Sequence, residues 1–163
     1  QGGVSIFDFT NPAKPYEIAY HDRGPVDATR MGNGGTWSVY WYNGVIVSSE
    51  IARGLDIFEL LPSGHISQNE IDAAKTVKLD YLNTQGQPKF VWPATPALAK
   101  AYLDQLERSK GLSGGQISAA RKAIDAGDKQ AMSKLAGDVA GAAKGADAGK
   151  VQKLAGTLKD LAK

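Results

Sequence analysis

Trp37-Ser38-Val39-Tyr40-Trp41-Tyr42-Asn43-Gly44-Val45-Ile46-Val47-Ser48-Ser49 decides how the first part of this chain folds. On both sides of Asn43-Gly44 the residues are mostly β-branched or aromatic, the types that suit a pleated, half-buried surface. Asn and Gly both tolerate positive φ, so the pair predicts a two-residue type I′ turn joining Trp37–Tyr42 to Val45–Ser49 as a hairpin. Working outward, Gly54–Leu60 reads as the next strand. Val4–Phe9 and Tyr16–Tyr20 read as two earlier ones, separated by the turn residues Thr10-Asn11-Pro12. The expectation is an antiparallel β-meander of about five short strands within residues 1–62.

An internal repeat lies inside that meander. Gly3-Val4-Ser5-Ile6-Phe7-Asp8-Phe9 matches Gly54-Leu55-Asp56-Ile57-Phe58-Glu59-Leu60 at an offset of 51 residues, close to the length of one propeller blade. Residues 1–62 then amount to about one blade plus an extra strand. One blade alone leaves its faces bare, because neighbouring blades normally cover them. Earlier blades of a longer protein, a partner, or the rest of this chain must supply the cover.

Composition changes near Pro93–Pro96, from β-branched and aromatic residues to Ala, Lys, Leu and Gly. Ser67-Gln68-Asn69-Glu70 has the spacing of a capping box and starts a short helix to about Lys75. Val77–Leu82 reads as extended. Phe90, Val91 and Trp92, apolar without a helical period, are expected to anchor an irregular connector, so residues 63–94 form a short helix and linker. Thr95 before Pro96 is an N-cap followed by proline at the first helical position. Leu98, Tyr102 and Leu106 then recur at helical spacing, with Gly111 as the stop. Three more caps, Ser113, Asp128 and Asp147, precede the stripes Ile117/Ala120/Ile124, Met132/Leu135/Ala136/Val139 and Val151/Leu154/Leu158/Leu161. Residues 95–163 therefore read as a small helical bundle. Glycine recurs at 137, 141, 145 and 149, and Gly145–Gly149 is expected to break the last two helices apart. The fold class is α+β.

Across its 163 residues the chain carries 19 Lys/Arg and 17 Asp/Glu, a net charge of +2, which is too small to imply nucleic acid. The charge is unevenly placed: −3 over residues 1–94 and +5 over residues 95–163. With no cysteine there is no disulfide, thiolate metal site or cysteine nucleophile. No apolar run reaches the ~18 residues of a membrane-spanning helix. His21 and His65 are the only histidines, and neither has a partner at metal-ligand spacing. No Gly-x-Ser-x-Gly or phosphate-loop pattern occurs. Neither a catalytic residue nor a cofactor is expected.

Two groups of residues remain as candidates. Trp37, Tyr40, Trp41 and Tyr42 form an aromatic interaction face. By strand parity Trp37, Val39 and Trp41 share one side and Ser38, Tyr40 and Tyr42 the other, so packing of a strand covered on both sides accounts for the same pattern. Asp22, Arg23, Asp27, Glu50 and Arg53 form a candidate acidic and ion-pair cluster. Its carboxylates could ligate calcium, but paired charges explain them without a metal. The stripe Val151/Leu154/Leu158/Leu161, flanked by lysines, adds the expectation of a membrane-surface contact by the C-terminal helix.

Gly3–Phe9 with Thr10-Asn11-Pro12-Ala13-Lys14-Pro15, then Asp22-Arg23-Gly24-Pro25, Trp37–Gly44, Ser49-Glu50-Ile51-Ala52-Arg53-Gly54-Leu55-Asp56 and Ser67–Ala74, resemble the C-terminal part of bacterial LVIVD-repeat proteins. The resemblance is strongest over residues 3–110. It implies a β-propeller of about seven blades in an exported protein, of which this chain is a C-terminal part, with no established enzyme activity to carry over. The functional expectation is a non-enzymatic, extracytoplasmic interaction module, an accessory subunit held to protein partners in a larger assembly. The alternative is a fragment of a propeller hydrolase or carbohydrate-binding protein whose site lies in other blades.

Overall fold

A computed structural model describes residues 2–163 as an α+β protein. The strands are β1 (Val4–Asp8), β2 (Tyr16–His21), β3 (Thr36–Tyr42), β4 (Val45–Glu50) and β5 (Gly54–Phe58). The helices are α1 (Gln68–Ala74), α2 (Pro96–Ser109), α3 (Gly114–Ala126), α4 (Lys129–Gly141) and α5 (Ala148–Leu161). The chain divides into two compact units. One comprises the chain through Ile66 together with Lys78–Pro88; the other comprises Ser67–Val77 with Lys89–Lys163.

In the first unit the five strands make two antiparallel sheets, a β1–β2 hairpin and a three-stranded β3–β4–β5 meander. The single expected meander is interrupted after β2 by residues 22–35, within which Asp27 Oδ1 accepts from the Thr29 and Arg30 amides. The β3–β4 turn is as expected, with Asn43 at φ 51° and Gly44 at φ 96°. The repeat fares differently. Val4 and Ile6 of β1 point inward while their counterparts Leu55 and Ile57 of β5 are exposed, and Phe7 and Phe58 exchange places in the same way. The two segments are alike in sequence and opposite in which side they bury.

The second unit is a helical bundle. Its core joins Leu103 and Leu106 of α2, Ile117 and Ile124 of α3, Val139 of α4, and Val151, Leu154 and Leu158 of α5. Helix α1 adds Ile71 to the buried residues and packs Ala73 against Leu98 and Ala101. Burial of a Leu, Ile or Val side chain contributes about 1.5–3 kcal/mol, which offsets the helix-weakening glycines. Caps at Ser67, Thr95, Ser113 and Asp128 hold as expected, two of them complete capping boxes.

Two sequence expectations are corrected here. Asp147 makes no side-chain cap for α5, and the left-handed residue ending α2 is Lys110 (φ 57°), not Gly111. A Cβ on Gly111 would lie 2.7 Å from Asp147 Oδ2 and 2.9 Å from Asp147 Cβ, so glycine is needed where the chain passes Asp147, and the carboxylate packs there instead of capping. Outside the helices, Val77–Leu82 forms no strand. Phe90 is half-buried and meets Trp92 edge-on at 6.3 Å, while Val91 and Trp92 are exposed.

Candidate functional site

The three-stranded sheet has two unlike faces. Register places Tyr40, Val47 and Ile57 in one cross-strand row and Ser38, Ser49 and Leu55 in the next, on the same face. Leu55 is 63% exposed, Ile57 62% and Tyr40 45%. An antiparallel sheet with one solvated face ordinarily shows polar side chains there; this one shows apolar ones. On the opposite face Trp41, Ile46 and Phe58 form a row, with Ile46 and the neighbouring Ser48 buried.

The aromatic candidates therefore separate. Tyr40 lies on the exposed face and Trp41 on the covered one. Tyr42 is half-buried, its hydroxyl donating to the carbonyls of Leu79 and Asp80 at 3.1 Å. Trp37 is the extra residue of a β-bulge: Thr36 faces Glu50 and Ser38 faces Ser49, so nothing opposes Trp37. It is 79% exposed. The bulge breaks the alternation that assigned Trp37 to one side with Val39 and Trp41, and β3 is not packed on both sides as its bulky residues suggested.

The expected ionic cluster resolves into three separate pairings. Glu50 is buried and its carboxylate accepts from the backbone N–H groups of Gly35, Ala52 and Arg53, with the Arg53 guanidinium 3.3 Å away. The Gly35 bond above all, with those of Arg53 and Ala52, holds this carboxyl below the usual range despite its burial. Arg23 pairs with Asp56 at 2.8 Å. A carboxylate inside the otherwise apolar run of β5 was the available signal for that partner. Asp27 pairs with Arg30 at 3.0 Å. The Thr29 backbone N–H, then its hydroxyl, then Arg30 lower the Asp27 carboxyl to about 2. The Asp22 carboxylate accepts from the Arg23 amide. Among the described residues no three His, Asp or Glu side chains are grouped to hold a metal ion.

A cleft of ≈ 550 Å³ opens within the first unit, lined by Val4, Ile6, Ile46 and Phe58 and by the β2 run from Glu17 to His21. The His21 ring lies 4.4 Å from the Phe58 ring, and its Nε2 is buried with no hydrogen-bond partner. Sequence reasoning found no role for His21, because its neighbour Phe58 is far along the chain.

The apolar stripe behind the expected membrane contact is spent inside the bundle: Val151, Leu154 and Leu158 are fully buried. No described helix is long and apolar enough to cross a membrane. No family model, no curated protein and no solved structure matches this chain.

Proposed function

We propose that this chain is a non-enzymatic interaction module, an accessory subunit of a larger extracytoplasmic or membrane-associated assembly. Its β3–β4–β5 sheet receives a second β-sheet on the face bearing Tyr40, Leu55 and Ile57. The observation that carries this reading is the exposed apolar row itself, since sheets cover such faces by stacking about 10 Å apart on another sheet. The resemblance to LVIVD repeats supports the choice of occupant, a neighbouring repeat of the same kind, and supports the location. The alternative, a hydrolase or carbohydrate-binding fragment, draws no support from Asp22, Asp27 and Glu50, which the fold disperses into separate pairings.

The test is photo-crosslinking from position 57 in the native assembly, with position 152 on α5 as the control. The expected result is an adduct to a β-rich neighbour from position 57 alone, lost in the Tyr40→Lys/Leu55→Lys variant. A native mass near the chain's own 17.2 kDa, with no adduct from position 57, would overturn the reading.

A further inference from the structure

We infer that a second copy of this chain docks head to tail, with the outer face of its β1–β2 hairpin laid on the Leu55/Ile57 face of the three-stranded sheet. The inference rests on the docking face proposed above and names its occupant.

The β1–β2 hairpin has an apolar outer face of its own. Register pairs Ser5 with Tyr20 and Phe7 with Glu17, on the side away from Val4 and Ile6. Phe7 is 46% exposed and Tyr20 75%. Phe9 extends the patch, its ring 6.0 Å from that of Phe7. The first unit therefore carries two bare apolar faces, one on each sheet, and such patches mark sites of contact.

The internal repeat shows how these faces fit. Inside the chain, Val4 and Ile6 of β1 line one cleft with Ile46 and Phe58 of the three-stranded sheet. In the repeat Val4 and Ile6 correspond to Leu55 and Ile57, and Phe58 corresponds to Phe7. Within one copy, then, a face of the Val4/Ile6 kind already looks onto a face of the Phe58 kind. The two exposed faces are the same pair with the strands exchanged, Leu55 and Ile57 being of the first kind and Phe7 of the second. Laying Phe7 of one copy on Leu55 and Ile57 of another repeats the internal arrangement between chains. Two like faces brought together have no such precedent in the molecule. The contact is heterologous, so a dimer keeps one free face of each kind and association continues beyond it.

The experiment measures the mass of the isolated full chain by sedimentation over a concentration series, unsubstituted and in two variants. Leu55→Lys and Phe7→Lys each put a charge into one face, where burial without a partner is costly. Both positions are exposed, and the lysine introduced by Phe7→Lys stands opposite Glu17, a favourable cross-strand pair; amide NMR spectra confirm that each variant folds. The expected result is concentration-dependent association of the unsubstituted chain beyond the dimer, lost in either variant. An equimolar mixture of the two variants should regain one contact and stop at twice 17.2 kDa, because the intact face of each meets the intact face of the other. Association that survives either variant, a mixture that stays monomeric, or an unsubstituted chain that is monomeric throughout would overturn the inference. A monomeric chain that still gives the position 57 adduct to a different polypeptide in the native assembly refutes the second copy alone and leaves the proposed function standing; a monomer without that adduct removes both.

Discussion

The side-chain amide of Asn43 takes both backbone hydrogen bonds of Leu79: its Oδ1 accepts from the Leu79 N–H at 2.7 Å and its Nδ2 donates to the Leu79 carbonyl at 2.9 Å. The same residue holds the left-handed first position of the β3–β4 turn. Lys78 Nζ donates to the Asn43 carbonyl at 2.9 Å and the Tyr42 hydroxyl to the Leu79 carbonyl, so one turn secures the returning segment Lys78–Asp80. One asparagine thus performs two tasks with different requirements: a backbone that tolerates positive φ, and an amide with one donor and one acceptor.

Two substitutions separate those tasks. Asn43→Gly keeps the turn and loses the clasp; Asn43→Ala loses the clasp and adds left-handed strain of about 1–2 kcal/mol. Urea unfolding should therefore place Asn43→Ala below Asn43→Gly. Both variants should speed hydrogen exchange at the Leu79 amide, whereas exchange at Leu154 in the bundle core is unaffected. Unchanged exchange at Leu79 in Asn43→Gly would refute the clasp.

Gly111→Ala should cost about 1–3 kcal/mol in thermal or denaturant unfolding, the usual consequence of forcing atoms into a filled space. The clash is with Asp147, so Asp147→Gly added to Gly111→Ala should recover most of the loss. Failure of the second change to rescue the first would mean that the cost lies in the backbone at Gly111.

Asp104 joins three helices. It accepts from Asn69 of α1 at 2.8 Å and from Arg121 of α3 at 2.7 Å, while Glu70 of α1 pairs with Arg108 of α2 at 2.6 Å. Burial pushes both carboxyls up. Hydrogen bonds outweigh it, from Ser67, Asn69 and Arg121 at Asp104 and from Arg108 and Ser67 at Glu70, and both end below their ordinary values. Lowered native carboxyls contribute stability that is complete above the unfolded-chain range near pH 4 and is lost as pH falls through the lowered values. Helical ellipticity should therefore hold down to about pH 4 and fall beneath it. Asp104→Asn should cost about 1–3 kcal/mol at pH 7 and flatten the acid dependence.

Asp27 gives a sharper titration. Its carboxyl carbon should titrate near 2, not near 3.8. Thr29→Val should raise that value in part, because the hydroxyl bond is removed while the larger backbone bond from residue 29 stays. A Thr29→Val carboxyl titrating at the same value as the unsubstituted chain would show that the hydroxyl contributes nothing.

Local chemistry was the legible layer of this sequence. The Asn43-Gly44 turn and the caps at Ser67, Thr95, Ser113 and Asp128 each depend on residues within four positions, and each stands where the pattern placed it. What depends on tertiary neighbours was not legible. Asp147 has the right type and position for a cap, but Gly111 brings another part of the chain against it. Alternation in β3 could not disclose a bulge, which depends on the partner strand opposite Trp37. Ile6-Phe7 and Ile57-Phe58 are identical pairs with opposite burial, since each strand turns inward whichever face its own sheet has covered. For the candidate cluster, Arg23, Asp27, Glu50 and Arg53 were recognised as charges needing partners; Asp56, which pairs with Arg23, and Arg30, which pairs with Asp27, were not.

The chain passes from the first compact unit into the second at Ser67, returns at Lys78 and leaves again at Lys89. This has a consequence for synthesis on the ribosome. The hairpin turn at Asn43 emerges long before Leu79, so the sheet unit stays open along one side until that residue has cleared the exit tunnel. Helix α1, meanwhile, is already out and must wait for α2. Translation from Leu79 to Ser109 takes about 2–6 s at ordinary rates, an interval in which the apolar side of α1 has no helix to lie on. A chaperone that binds nascent chains would find a transient target there, at Ile71 and Ala73.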